Sequence, residues 1–81
     1  MPKLKVKVID KDTGEPLFAR VLISDQVAYK LVTDESGEAE VSLPEGKYTV
    51  EVRATHYAPK KREIVLDRDR EITFELEVLV I

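Results

Sequence analysis

Strict alternation of apolar and polar side chains is the feature of this sequence that most limits its fold. It is clearest between residues 47 and 54, where one parity is apolar or aromatic and the other is polar or charged: Tyr48, Val50, Val52 and Ala54 against Lys47, Thr49, Glu51 and Arg53. A side-chain period of two is typical of a strand with one face in a core and the other in water. A turn containing Pro44 and Gly46 precedes the run, and Pro59 ends it by removing a backbone donor. We therefore predict a turn, a half-buried strand and a loop across residues 43–59.

The same alternation recurs along the chain, and no segment shows a helical period. It predicts strands at about residues 3–9, 18–24, 29–33, 38–43, 47–54, 62–67 and 71–81, separated by turns such as Asp34–Gly37. Each half-apolar sheet needs a second sheet to cover it. The pattern therefore predicts one domain over residues 1–81, an all-β, seven-stranded antiparallel sandwich.

Four short motifs resemble those of a known family. They are TGEPL at 13–17, Ala-Arg-Val at 19–21, TDESGEAEVSLPEGKYTVEV at 33–52 and Tyr-Ala-Pro at 57–59. Together they resemble the carboxypeptidase regulatory-like domain, one of the transthyretin-like and CnaB-like β-sandwiches, from about Val6 to Leu76. The resemblance implies that the sandwich is of the immunoglobulin-like or prealbumin-like kind. It also implies an extracellular or cell-surface location, although the chain as given carries no export signal. The family pattern has glycine before the tyrosine, where this chain has His56, and histidine tolerates positive φ less well than glycine.

Strand two is apolar on both parities. The resemblance implies that Ala19, Val21 and Ile23 face the core. Phe18 and Leu22 are then expected to be partly exposed or covered by a neighbour.

The amino-acid composition argues against several kinds of site and partner. The 81 residues contain no cysteine, so no disulfide or thiolate metal site can form. The net charge is −3, with 13 basic and 16 acidic residues interspersed, which argues against nucleic acid or an anionic membrane as partner. No segment approaches the roughly 20 apolar residues of a membrane span, so we expect no membrane insertion.

An acidic loop end is the first candidate site. In an up-and-down connectivity the loops after strands one, three and five share one end of the sandwich, which would collect Asp10, Asp12, Glu15, Asp34, Glu35 and His56. Asp10, Asp12 and Glu15 are weak calcium candidates, because they lack the complete loop with its closing glutamate; the alternative is turn chemistry, in which Asp accepts from nearby N–H groups. No other cofactor is expected.

His56 is the only histidine of the chain. Ser24, Ser36 or Ser42 would have to supply a nucleophile, and none lies in a recognisable nucleophile motif. We therefore predict no catalytic residues and no enzymatic activity.

The last strand is the second candidate site. Residues 78–81 are apolar on both parities, which would leave some of them in water at a strand edge. We predict a protein interface formed by Phe18, Leu22, Val78, Leu79, Val80 and Ile81, with the chain itself or a neighbouring domain as partner. The alternatives are that the last residues pack on Phe18 and Leu22 of their own chain, or that the terminus is frayed. The function expected is a structural or adhesive module; the alternative is an accessory module that holds a sugar or peptide at the acidic loop end.

Overall fold

The computed structural model describes residues 1–79 and contains seven strands in two sheets. The strands are β1 (Lys3–Asp10), β2 (Arg20–Ser24), β3 (Ala28–Val32), β4 (Glu38–Ser42), β5 (Gly46–Arg53), β6 (Lys60–Leu66) and β7 (Arg70–Leu76). One sheet has the order β4-β1-β7 and the other β3-β2-β5-β6. The two sheets face each other across one apolar core, so the prediction of a seven-stranded β-sandwich is confirmed. No helix in residues 1–79 is long and apolar enough to span a membrane.

The alternation of the sequence matches the burial of the side chains. In each of the three strands with the clearest pattern, every second residue is buried: Leu4, Val6 and Val8; Tyr48, Val50 and Val52; Ile72, Phe74 and Leu76. Ala19, Val21 and Ile23 are also buried, as the resemblance implied for strand two. Ala39 and Leu43 are also buried, and Val41 between them is half-buried and packs against the core.

The strand pairing differs from the simple antiparallel, up-and-down pattern. β1 and β7 pair in parallel, with Val6 opposite Ile72, whereas the other four pairings are antiparallel. β2 pairs with β3, the next strand in the sequence, and with β5, which is three strands later. The first and last strands can lie side by side in the same direction because the chain crosses between the sheets several times before β7.

The last strand is shorter than predicted. β7 ends at Leu76 rather than continuing to the terminus, and Val78 forms an isolated antiparallel bridge with Tyr57. The backbone N–H of Ala58 donates to Glu77 and that of Leu79 donates to His56. The chain thus leaves the sheet after Leu76 and pairs with the β5–β6 loop, which satisfies backbone groups that a longer edge strand would expose to solvent.

The outer face of the three-stranded sheet carries rows of opposite charge. Lysines of β1 lie between glutamates of β4 and β7, and two ion pairs form, Lys3 to Glu40 at 3.7 Å and Lys5 to Glu38 at 3.2 Å. The cross-strand register places Lys5 opposite Glu71 on the other side. This face is therefore charged and internally complementary, which suits contact with water.

Candidate functional site

Three loops and the C-terminal segment meet at one end of the sandwich, which we call the loop end: residues 11–19, 33–37, 54–59 and 77–79. Backbone hydrogen bonds join them, since the N–H of Val8 donates to Gly37 and the N–H of Lys11 donates to Leu76. The Lys11 ammonium also contacts the Glu77 carboxylate at 2.7 Å. The loops after the first, third and fifth strands thus share an end, as expected, although the connectivity is not up-and-down.

A buried carboxylate and a tyrosine lie at the centre of the loop end. The Tyr57 hydroxyl donates to Oδ2 of Asp10 at 2.7 Å, and the N–H groups of Asp12 and Thr13 donate to Oδ1 at 2.8 and 3.2 Å. Asp10 is only 8% exposed. These donors, with the tyrosine first, hold the pKa of the Asp10 carboxyl below its ordinary value of 3.8. The same hydrogen bond, together with burial, raises the pKa of Tyr57 above its ordinary value of 10.0.

A second polar contact holds the loop before β2 against the end of β3. The Thr33 hydroxyl accepts from the N–H of Ala19 and donates to the carbonyl of Leu17, both at 2.8 Å, and Thr33 is 2% exposed. A role for Thr33 was not predicted from the sequence. The available signal was a threonine at the end of an apolar strand, directly before a turn.

Apolar side chains are exposed beside these polar contacts. Phe18 is 75% exposed, Val78 50% and Leu79 52%, so the segment up to Leu79, where the described residues end, leaves Phe18 exposed. Phe18 shares a shallow depression with Thr55, and the next residue, His56, accepts a hydrogen bond from the N–H of Leu79. Phe18 and Leu79 therefore both lie beside the loop at Thr55 and His56.

The remaining predicted interface residues lie elsewhere. Leu22 is half-buried on the outer face of the four-stranded sheet, between Lys30 and Glu51. Val80 and Ile81 lie outside the described residues.

Comparison with protein families agrees with this geometry. The family model of the carboxypeptidase regulatory-like domain matches residues 3–77, nearly the whole chain. The chain belongs to this family. The regulatory-like domain is a small β-sandwich module, which agrees with the two sheets described above.

A solved structure with the same fold is the Bacillus anthracis TIE protein. It aligns with a TM-score of 0.76 and 23% sequence identity, over 96% of this chain and 16% of the TIE chain. This regulatory-like domain therefore spans about a sixth of the length of that protein. No curated protein matches the chain.

His56 occupies the position where the family pattern has glycine, and its backbone is left-handed, with a φ of 71°. A non-glycine residue in this region costs roughly 1–2 kcal/mol. The side chain is exposed, while the carbonyl holds the C-terminal segment. His56 therefore shapes the loop, as its place in the sequence suggested.

We expect His56→Gly to stabilise the domain by about 0.5–1 kcal/mol, because relief of the left-handed conformation exceeds the added entropy of the unfolded chain. His56→Val should destabilise it by about 1 kcal/mol or more, since a β-branched residue tolerates positive φ poorly. Urea denaturation of wild type, His56→Gly and His56→Val would measure their free energies of unfolding and hence their order of stability. A valine variant as stable as the glycine variant would contradict the argument.

The three candidate calcium ligands, Asp10, Asp12 and Glu15, differ in burial and in hydrogen bonding. Both oxygens of Asp10 already accept hydrogen bonds, whereas Asp12 and Glu15 are exposed. No group of three or more His, Asp or Glu side chains in residues 1–79 is arranged to hold a metal ion. A cation at Asp10 would have to displace the Tyr57 hydroxyl or the loop N–H groups. The calcium site stays a prediction, which melting in calcium and in chelator would check.

The serines considered for catalysis are distributed over both ends of the sandwich. Ser24 and Ser42 end β2 and β4 at the far end, away from His56, and Ser36 lies in the β3–β4 turn of the loop end. The Ser36 N–H donates to Asp34, as expected of ordinary turn chemistry. Asp34 and Glu35 are exposed in that turn.

The Asp10–Tyr57 pair predicts a pH dependence of stability. Because the pKa of Asp10 is lowered on folding, its contribution is present above pH 3.8 and is lost as the pH falls from 3.8 through the lower folded pKa. Because the pKa of Tyr57 is raised on folding, its contribution is present below pH 10.0 and is lost as the pH rises through the folded pKa. Chemical denaturation from pH 2 to 11 should therefore show a shallower acid limb for Asp10→Asn and a shallower alkaline limb for Tyr57→Phe. Asp25→Asn, at the far end, is the control, and an acid limb that is equally steep in Asp10→Asn and wild type would contradict the assignment.

Proposed function

We propose that this regulatory-like domain is a non-catalytic structural module that associates with a second copy through the apolar residues of the loop end. Phe18 and Leu79 form the centre of this surface, with Val78 beside them, whereas Leu22 lies outside it on the outer face of the four-stranded sheet. The observation that carries the proposal is the exposure of Phe18, at 75%, on a domain with a thin margin of stability. Burial of such a side chain against a partner is favourable by about 1.5–3 kcal/mol.

The charge distribution supports this location. The outer face of the three-stranded sheet pairs its own lysines and glutamates, so it has little to gain from an apolar partner. At the loop end, Asp10, Thr33 and Tyr57 bond to one another or to the backbone. These polar groups are therefore already hydrogen-bonded within the domain. The exposed apolar side chains, Phe18, Val78 and Leu79, are the groups at the loop end that would gain from a partner.

The C-terminal segment contributes through its side chains in this proposal. Its backbone N–H and carbonyl groups at Leu79 and Glu77 already bond to the β5–β6 loop. That pairing orients Val78 and Leu79 and lowers the entropy lost on association.

Sedimentation velocity over a range of concentrations would test the proposal. We expect a mass above that of the monomer, and weaker association after Phe18→Ser, after Leu79→Ser and after truncation beyond Glu77. The point variants keep the backbone bonds that the truncation removes. Val27→Ser is the matched control, because Val27 is 60% exposed but lies at the far end. Association unchanged by both point variants would refute the proposal.

A further inference from the structure

The four-stranded sheet ends in two edge strands whose charges are complementary. β3 carries one central charge, Lys30, between acidic residues that follow β2 and β3, Asp25 and Asp34. β6 begins with Lys60 and Lys61 and carries Glu63 at its centre. None of Lys30, Glu63 and Asp25 forms an ion pair within residues 1–79.

The backbone groups at both edges can be assigned from the ladder. The N–H of Thr33 donates to Ala19, so the odd residues of β3 point their backbone groups at β2. Ladder bonds alternate along an antiparallel strand, so Ala28, Lys30 and Val32 point theirs away from β2. The same alternation carried across β5 leaves the backbone groups of Lys61, Glu63 and Val65 directed away from β5.

The strand directions permit direct pairing of these two edges. Each neighbouring pair in the order β3-β2-β5-β6 is antiparallel, so β3 and β6 run in opposite directions. A second copy displaced sideways and rotated so that the twist of the sheet continues would therefore place its β3 antiparallel to β6 of the first.

We propose that copies of this domain associate head to tail, with β3 of one paired to β6 of the next and Lys30 opposite Glu63. In this register Ala28 lies opposite Val65 and Val32 opposite Lys61, so the outward backbone groups of both edges meet. The Val65 carbonyl also accepts a hydrogen bond from the Arg70 guanidinium at 2.9 Å, which the pairing would displace or share. All of these side chains are on the outer face of the sheet, because Lys30 lies opposite Leu22 and Glu63 opposite Thr49 in the ladder.

Residues beyond the strand ends agree with the same register. It brings Asp25 of one copy towards Arg68 of the next, and Asp34 towards Lys60. Two-fold pairing of β3 with β3 would instead bring Asp25 towards Asp34 and Glu35, which places negative charges next to one another. Opposite charges across strands are favourable and like charges are unfavourable. Charge complementarity thus selects β6 of another copy as the occupant of the β3 edge.

The contact is heterologous, so each added copy leaves one β3 edge and one β6 edge open. The assembly grows with concentration instead of stopping at a dimer. This property separates it from the loop-end association proposed above, which involves Phe18 and Leu79.

Charge reversal tests the pairing on the full chain. In sedimentation velocity, we expect Lys30→Glu and Glu63→Lys each to lower the association constant about tenfold, because each places like charges opposite one another. An equimolar mixture of the two variants should associate like wild type, since every contact between unlike copies again joins opposite charges. The double variant should also recover. Both positions are exposed, so the melting temperatures should stay close to that of wild type.

Three results would overturn the proposal: wild type that stays monomeric at millimolar concentration, single variants that associate like wild type, or a mixture that does not recover. Phe18→Ser tests the loop-end association in the same experiment, and it should leave the edge pairing intact. If Phe18→Ser abolishes association while the charge reversals have no effect, the edge pairing is refuted and the loop-end proposal stands.

Discussion

Replacing Gly37 with alanine is expected to destabilise the domain by about 3 kcal/mol or more, which is a large part of the stability of a protein of this size. The backbone of Gly37 is left-handed, with a φ of 73°, and a side chain there costs roughly 1–2 kcal/mol. A Cβ atom would also lie 2.6 Å from the carbonyl oxygen of Val8 and 2.9 Å from Cβ of Pro16. Neither atom belongs to a flexible side chain, so the β3–β4 turn would have to move away from β1.

Gly14→Ala is the matched control for this experiment. Gly14 has nearly the same φ, 74°, but no atom lies within 4 Å of the added Cβ. It should therefore show only the conformational cost, about 1 kcal/mol. Thermal and urea denaturation would measure both variants, and equal losses at the two positions would show that the contact with β1 contributes nothing.

Replacing Thr33 with valine is expected to cost about 2–4 kcal/mol. Valine has nearly the same shape, but it leaves the N–H of Ala19 and the carbonyl of Leu17 without their partner, and an unsatisfied buried group costs about 1–3 kcal/mol. The melting temperature should fall by roughly 4–8 °C for each kcal/mol.

Thr33→Ser is the control, since it keeps the hydroxyl and loses only a methyl group. It should retain most of the stability, with a loss of about 1 kcal/mol. The backbone bond from the N–H of Thr33 to Ala19 remains in both variants. If serine and valine were equally destabilising, packing of the methyl group rather than the hydrogen bonds would account for the effect.

The candidate sites were only partly accessible to sequence reasoning. Phe18 was expected to be partly exposed or covered by a neighbour because strand two is apolar on both parities, and it is 75% exposed in the structure. At His56 the sequence indicated only a departure from the family pattern, which has glycine there, and the structure shows that the histidine adopts a positive φ of 71°. The partner of Asp10 was not foreseen, because Tyr57 lies 47 residues away and short-range patterns contain no information about such a contact.

The predicted length of the last strand was wrong because its end also depends on a contact with a residue that lies far away in the sequence. Residues 78–81 have strong strand propensity, but the backbone of Leu79 bonds to His56 instead of extending β7. A partner in a loop that lies far away in sequence decided where the strand ends.

The sequence by itself determined which side of each strand faces the core, because alternation with a period of two is a local property of the backbone. It also determined where turns occur, since proline and glycine restrict or permit backbone angles within a few residues. Only the tertiary structure decided that β1 and β7 lie parallel, that Thr33 and Asp10 join distant loops, and that β3 and β6 remain as edges. Pairing depends on the free energy of contacts across the whole chain, and many partners satisfy the same local pattern.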